Sequence, residues 1–156
     1  MNSIKVQQEI LKALLSGKQP VRYSNYGLDE VCVTTDGKVV YIMPEEELLV
    51  NLAGAQVSLD LLVGQIQATV RPANRLIGTD NYRMGGKARK YVRAEATEIS
   101  SYFNTELLKH FTDPELYQDA GSTLSLAVVT ERAPGTDERK IVGAVMPIRV
   151  AEEGQA

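Results

Sequence analysis

The segment Ile141-Val-Gly-Ala-Val-Met-Pro-Ile-Arg-Val150 decides how the fold is interpreted. It is an apolar run rich in strand-forming residues, and its proline ends a strand because proline has no N–H to give to a sheet. The earlier run Val39-Val-Tyr-Ile-Met-Pro44 ends in the same Met-Pro dipeptide. Each run comes after the start of a helical pattern. The sequence therefore predicts an internal duplication in which one helix and several strands occur twice.

The first half begins with an amphipathic helix. Ser3 is its expected cap, Gly17 and Pro20 are its expected end, and one side carries apolar residues at helical spacing: Ile4, Ile10, Leu11, Leu14 and Leu15. Three short strands are expected next, at 21–26, 30–34 and 38–43, with turns at 25–27 and at Asp36-Gly37. The glutamates at 45–47 fit either a short helix or a solvated strand.

Several glycines divide the middle of the chain into short segments. Residues 48–70 are apolar and predict at least one strand, at 65–71. Residues 72–88 are rich in turn-forming residues and predict a long loop, which in a compact domain is either functional or mobile. A strand is expected at 90–96 because apolar and polar residues alternate there.

The second half predicts another helix, from a cap at Thr97 to Phe111, with an apolar side. That side comprises Ile99, Tyr102, Phe103, Leu107, Leu108 and Phe111. A short strand at 116–118 and a hairpin of 124–131 with 140–150 are expected to follow. Residues 1–150 form one domain in this interpretation, and the polar tail 151–156 is expected to be disordered.

Composition limits the class of protein. A chain of 156 residues with 44% hydrophobic residues can bury the core of one domain, and a net charge of −3 argues against a generally basic nucleic-acid binder. The single cysteine, Cys32, allows no intrachain disulfide and favours a cytoplasmic location, where we expect an inert thiol. No apolar run approaches the roughly 20 residues of a membrane span, so no membrane partner is expected.

The order of elements resembles one domain of a DNA sliding clamp. The ending Ala144-Val-Met-Pro-Ile-Arg-Val150 is similar to that of bacterial clamps, which finish with an apolar strand, Met-Pro, an apolar residue, arginine and an aliphatic residue. The resemblance covers residues 90–150 in some detail and residues 3–44 only by element order. It implies an α+β fold in which two helices pack on antiparallel sheets, with a pseudo-two-fold repeat of halves at about 3–52 and 90–150.

The resemblance also implies a function. It suggests a non-enzymatic accessory factor in DNA replication, of phage or mobile-element type, that contacts DNA or a replication protein. In clamps the residues around this Met-Pro help to form an apolar pocket for short partner peptides, which by position implicates Ala144, Met146, Pro147, Ile148 and Arg149.

The chain departs from the clamp pattern in three respects, of which the first is that no strand is evident before the first helix. A clamp ring needs six such domains, so a ring of this chain would be a homo-oligomer of six copies. Clamp helices that face DNA carry basic residues, whereas the predicted second helix carries Glu98 and Glu106 beside Lys109.

A basic segment stands out from the residues alone. Seven of the 17 basic residues lie between positions 71 and 93: Arg71, Arg75, Arg83, Lys87, Arg89, Lys90 and Arg93. Tyr82 and Tyr91 are interleaved with them, and Gly85-Gly86 lets the backbone approach a ligand. This combination predicts a flexible loop that contacts nucleic-acid phosphate. The alternative is a solvated loop whose positive charges offset the negative charges of acidic surfaces elsewhere in the protein.

No motif indicates catalysis. The paired carboxylates at 29–30 and 137–138 and the glutamates at 45–47 lack the spacing of metal ligands, so neither a metal nor a cofactor is expected. His110 would be favourable as a cation near the end of the predicted helix. The alternative function is a self-associating structural module, without a nucleic-acid role, that joins copies through open sheet edges.

Overall fold

An antiparallel sheet is the framework of the protein. The computed structural model describes residues 1–23, 29–50, 52, 60–119 and 123–150, with the backbone alone for 60–62. The strands in that part of the chain are β1 (Val21–Arg22), β2 (Glu30–Thr34), β3 (Val39–Pro44), β4 (Arg75–Arg83), β5 (Ala88–Arg93), β6 (Ser100–Asn104), β7 (Glu115–Gln118), β8 (Ala127–Arg132) and β9 (Arg139–Val145). The helices are α1 (Ser3–Leu15), α2 (Asp60–Thr69) and α3 (Thr105–Leu108), with 3-10 turns at Glu45–Glu47, Pro72–Asn74 and Met84–Gly86. The fold is therefore α+β.

The sheet curls back on itself. Its strand order is β1-β2-β3-β9-β8-β7-β4-β5-β6, so β6 lies at the edge opposite β1. Nevertheless, the N–H of Ile148, just after β9, donates to the carbonyl of Tyr102 in β6 at 2.8 Å. This contact requires the strands between β9 and β6 to wrap round an interior. Buried apolar side chains such as Phe103, Leu116 and Val129 fill it.

The predicted hairpins are confirmed, as are the strands around residues 90 and 117. The β2–β3 hairpin turns at Asp36-Gly37, where Gly37 has φ 79°, a left-handed conformation that favours glycine. The strands β8 and β9 pair as expected, and β9 ends at Val145, before the Met-Pro dipeptide. The first strand is described at Val21–Arg22, and residues 24–26 of that prediction lie outside the described residues. The glutamates after Pro44 form a 3-10 turn. The predicted turn at 25–27 and the tail 151–156 lie outside the described residues.

The helix α1 is confirmed, but its cap and its buried side differ from the prediction. Asn2 caps it, because its Oδ1 accepts the N–H of Lys5 at 3.1 Å. Val6 and Ile10 are fully buried against the sheet, together with most of Ala13. Four of the predicted apolar residues instead face outward, because the helix carries two apolar stripes and only one can face the core. These are Ile4, Leu11, Leu14 and Leu15.

The predicted second helix over 97–111 is wrong. Its first part is the strand β6, in which Ser101 and Phe103 are buried and the alternating residues Ser100, Tyr102 and Asn104 are partly exposed. That period of two is the pattern of a strand, and pairing with β5 satisfies its backbone groups. Only the four residues of α3 are helical, and Asn104, not Thr97, caps them.

Two predictions for the middle of the chain are also wrong. The segment expected as a strand at 65–71 belongs largely to α2, where Ile66 and Thr69 are buried at helical spacing. The segment expected as a loop contains the strand β4, which pairs with β5 on one side and β7 on the other. A register shift between Gly78 and Tyr82 accommodates the turn-forming residues that suggested a loop.

The strand order is symmetric about the central β3–β9 pair. On one side of the contact between β3 and β9, the chain runs through α1, β1, β2 and β3. On the other side it runs through α3, β7, β8 and β9, in the mirrored strand order. The equivalence is incomplete, because α1 has 13 residues and α3 has four, and β4 to β6 extend one side alone. The pseudo-two-fold repeat of the clamp resemblance therefore stays a prediction.

Two side chains of the core have strongly shifted pKa values. Burial, with a smaller contribution from the nearby Glu30, raises the pKa of the Cys32 thiol to about 12, which fits an inert thiol. Burial also raises the pKa of Tyr41, whose hydroxyl lies 2.7 Å from Nδ1 of His110. The sequence predicted that His110 would be favourable as a cation. That prediction is wrong, because burial lowers the pKa of His110 below the usual 6.5.

We expect the protein to lose stability in mild acid through His110. The unfolded chain takes up a proton near pH 6.5, whereas the folded chain resists it. The stability from the neutral imidazole is therefore complete above that pH and is lost as the pH falls through the lower pKa of the folded state. Urea unfolding at about pH 7.5 and about pH 5.5 measures this. In His110→Gln the difference between the urea midpoints at the two pH values should be smaller than in the wild type. If that difference is unchanged, other titrating groups cause the loss of stability in acid.

Candidate functional site

A cleft of about 590 Å³ opens where the β4–β5 hairpin meets α3. The hairpin contributes Tyr82, Lys87, Arg89 and Tyr91, and the helix and its flank contribute Thr105, Glu106, Leu108 and Lys109. The volume lies within the range of roughly 300–1,000 Å³ that is usual for small-ligand sites. The cleft therefore combines cations, aromatic rings and a size that can accept part of a ligand.

Arg89 occupies a fixed position in this cleft. Its guanidinium carbon lies 5.7 Å from the ring centre of Tyr82 and 5.4 Å from that of Tyr91. Its Nε donates to the carbonyl of Thr79 at 2.8 Å. Each cation–π contact of this kind is worth about 0.5–2 kcal/mol. The guanidinium is consequently oriented before any ligand arrives.

Gly78 makes room for the guanidinium. A Cβ at this position would lie 2.8 Å from the guanidinium carbon of Arg89, which is closer than real Cβ atoms approach other atoms. Glycine is therefore required at position 78 if Arg89 is to keep this orientation.

Thr105 holds the tip of the hairpin against α3. Its Oγ1 donates to the carbonyl of Gly86 at 2.9 Å, and its N–H donates to the carbonyl of Lys87 at 2.9 Å. The tip itself turns through left-handed conformations at Gly85 (φ 66°) and Gly86 (φ 86°), which glycine adopts without strain. These contacts keep Lys87 beside the cleft.

The charges that line the cleft favour an anion. Three cations, Lys87, Arg89 and Lys109, face one carboxylate, Glu106. Lys109 lies 2.9 Å from Glu106, and its hydrogen bond and charge lower the pKa of Glu106, so that carboxylate stays ionised. The excess of positive charge suits a phosphate group, because arginine and lysine are the usual partners of phosphate oxygens.

The seven basic residues that the sequence singled out do not form one patch. Lys87 and Arg89 line the cleft, whereas Lys90, next in sequence, belongs to the opposite face of β5 and pairs in register with Tyr102. Arg75 forms an ion pair with Glu115 at 3.4 Å. Arg71 and Arg83 lie outside the cleft lining.

Arg93 has a structural role. Its side chain is inside the curled sheet and only 4% exposed. It donates hydrogen bonds to the backbone carbonyls of Gln118, at 2.8 Å, and Asp119. Arg93 consequently does not offer its guanidinium to a ligand in this structure.

Lys109 was missed by sequence reasoning as a site residue. It is separated from the basic segment along the chain and was assigned to the predicted second helix. Only the folding of β6 back along β5, followed by the short α3, brings it beside Lys87 and Arg89.

The predicted partner-binding residues are split by the structure. Ala144 and Met146 line an apolar pocket of about 180 Å³, together with Tyr23, Val40 and Leu126. The remaining three, Pro147, Ile148 and Arg149, are not part of this lining. Ile148 is engaged in the bridge to β6.

The described residues hold no group of three or more His, Cys, Asp or Glu side chains arranged to bind a metal ion. Within the same part of the chain, no helix has the length and apolar character needed to cross a membrane.

Comparison with known proteins assigns no family to the chain. It has no significant match among family models, curated proteins or solved structures. Its function must consequently be inferred from the chemistry of the cleft.

Proposed function

We propose that the protein is a non-enzymatic, cytoplasmic binding protein that contacts nucleic-acid phosphate through the cleft between the β4–β5 hairpin and α3. The observation that carries this proposal is the oriented guanidinium of Arg89, flanked by two tyrosine rings and by Lys87 and Lys109. Arginine held in this way can donate two parallel hydrogen bonds to a phosphate without losing much side-chain entropy.

A role as a sliding-clamp-like accessory factor in DNA replication belongs to the same proposal. It is supported by the similarity of Ala144–Val150 to clamp endings and by the symmetric strand order about β3 and β9. The short α3 argues for contact through a surface cleft, because a helix of four residues cannot line a hole wide enough for DNA. A replication protein could place one apolar side chain in the pocket of Ala144 and Met146, which is too small for more.

The experiment is a fluorescence-anisotropy titration of labelled DNA with the wild-type protein, Arg89→Gln and Lys90→Gln. The two variants remove one positive charge each from neighbouring positions on opposite faces of β5. Wild type and Lys90→Gln should bind at low salt, and Arg89→Gln should bind more weakly. The proposal is wrong if the wild type does not bind at about 50 mM salt, where phosphate contacts are strong.

The outer side of α1 favours a second candidate, self-association. Ile4 is 72% exposed and Leu15 is 88% exposed, with Leu11 and Leu14 between them. A helix in water rarely exposes an apolar stripe of this length. The same stripe on a second copy of the protein would cover it with apolar side chains.

We expect light scattering to report oligomers of the wild type and monomers of Leu11→Glu, because a charge in the stripe would be buried without a partner. Lys5→Gln is the matched control, because it makes the same change of net charge at an exposed position of the same helix that lies off the stripe. A wild type that stays monomeric at high concentration would exclude this candidate and leave the nucleic-acid proposal intact.

A further inference from the structure

The two tyrosines beside Arg89 are not equivalent. Tyr91 is 9% exposed and packs edge-on against Phe103 in the core, with ring centres 5.6 Å apart. Tyr82 is 45% exposed, although the guanidinium of Arg89 lies over its ring. Tyr91 is thus a fixed part of the core, whereas Tyr82 keeps a large area of ring open at the cleft.

An exposed ring next to cations is costly to maintain for stability alone. Burial of aromatic surface is favourable, and 45% of Tyr82 stays exposed although the guanidinium of Arg89 lies over its ring. A nucleic-acid base has a flat apolar face of similar size, and stacking on an aromatic side chain contributes about 1–3 kcal/mol per base. A base on Tyr82 would place its own phosphate close to Lys87 and Arg89, which line the same cleft.

This geometry discriminates between single and double strands. In a duplex the base faces are stacked on their neighbours, and a protein reaches only the base edges in the grooves. The faces are free in a single strand. A cleft of about 590 Å³ is also of small-molecule size, so it can accept a nucleotide or two and not the body of a duplex.

We infer that Tyr82 is a stacking platform and that the cleft selects single-stranded over double-stranded nucleic acid. The inference rests on the proposed function, because it needs phosphate contacts by Lys87 and Arg89. It adds to the proposed function a preference for single strands and a residue, Tyr82, that determines this preference. Electrostatic attraction to phosphate alone would act on any nucleic acid.

The test compares one labelled strand of about 12 nucleotides, within the site sizes usual for single-strand binders, with its duplex at the same salt. Wild type, Tyr82→Ala, Tyr82→Phe and Tyr102→Ala are titrated, after circular dichroism has shown that each is folded. Tyr102 is the matched control, because it pairs in register with Lys90 and therefore lies on the face of the sheet opposite Arg89.

We expect the wild type to bind the single strand about ten-fold more tightly than the duplex, and Tyr82→Ala to lose most of that preference. Tyr82→Phe should bind like the wild type, because stacking needs the ring and not the hydroxyl. Tyr102→Ala should do the same.

Equal affinity of the wild type for both forms overturns the inference while leaving phosphate binding in place. So does an unchanged preference in Tyr82→Ala. Absence of binding to either form at low salt would remove the proposed function as well. The two failures are therefore distinguishable.

Discussion

Gly143→Ala should destabilise the protein by more than about 4 kcal/mol, a large part of the stability of a domain. Gly143 lies in β9 at the centre of the sheet, paired with Tyr41 on one side and Val129 on the other. A Cβ at this position would lie 2.2 Å from the carbonyl oxygen of Val40 and 3.1 Å from the ring of Phe111. The oxygen belongs to the backbone of β3 and cannot move away without breaking the β3–β9 pairing.

The expected cost is large compared with the stability of a domain. Overpacking against backbone belongs to the few mechanisms that cost more than about 4 kcal/mol, whereas whole domains are stable by about 5–15 kcal/mol. Urea unfolding followed by circular dichroism measures the change. Gly64→Ala is the control: Gly64 lies in α2, and a methyl group added there would meet nothing within 4 Å, so alanine should stabilise the helix by up to about 1 kcal/mol. A Gly143→Ala protein within about 1 kcal/mol of wild type would show that β3 and β9 do not pair as described.

Arg89→Gln should weaken binding of nucleic acid at least about ten-fold, since hydrogen bonds to charged groups contribute about 1.5–3 kcal/mol. The loss should be specific to position 89, so Lys90→Gln should change the affinity by less than about three-fold. Anisotropy titrations at one salt concentration measure both.

Gly78→Ala separates the position of the guanidinium from its charge. The new methyl group would displace the guanidinium of Arg89, which is the mobile end of a long side chain, and leave the net charge unchanged. We expect both an affinity and a thermal stability close to those of Arg89→Gln, because the two variants lose the same contacts of the guanidinium. Wild-type affinity in Gly78→Ala would mean that Arg89 acts through its charge alone.

The sequence predicted the parts of the fold that local chemistry determines. Asp36-Gly37 specified a hairpin because glycine accepts the left-handed turn, and Pro147 limited the last strand. The prediction of secondary structure was wrong where the same apolar residues fit both the period of a helix and the period of a strand. Tyr102, Phe103 and Leu107 look like the side of a helix, but pairing with β5 imposes the period of a strand on the first two.

The candidate site was found only in part, for a related reason. Local composition indicated Lys87, Arg89 and Tyr82, because they lie close together in the chain. It could not exclude Arg93, whose burial depends on the distant carbonyls of Gln118 and Asp119. Nor could it include Lys109, which reaches the cleft through tertiary packing.

The salt dependence of binding tests the role of the cleft most directly. The slope of log K against log salt counts the phosphates that a protein neutralises, at about 0.7 per contact for a single strand and about 0.9 for a duplex. If Arg89 contacts a phosphate, the slope for Arg89→Gln should be shallower than that of the wild type by about this amount, and the slope for Lys90→Gln should match the wild type. Equal slopes for the wild type and Arg89→Gln, or an equal reduction in both variants, would contradict phosphate binding in the cleft.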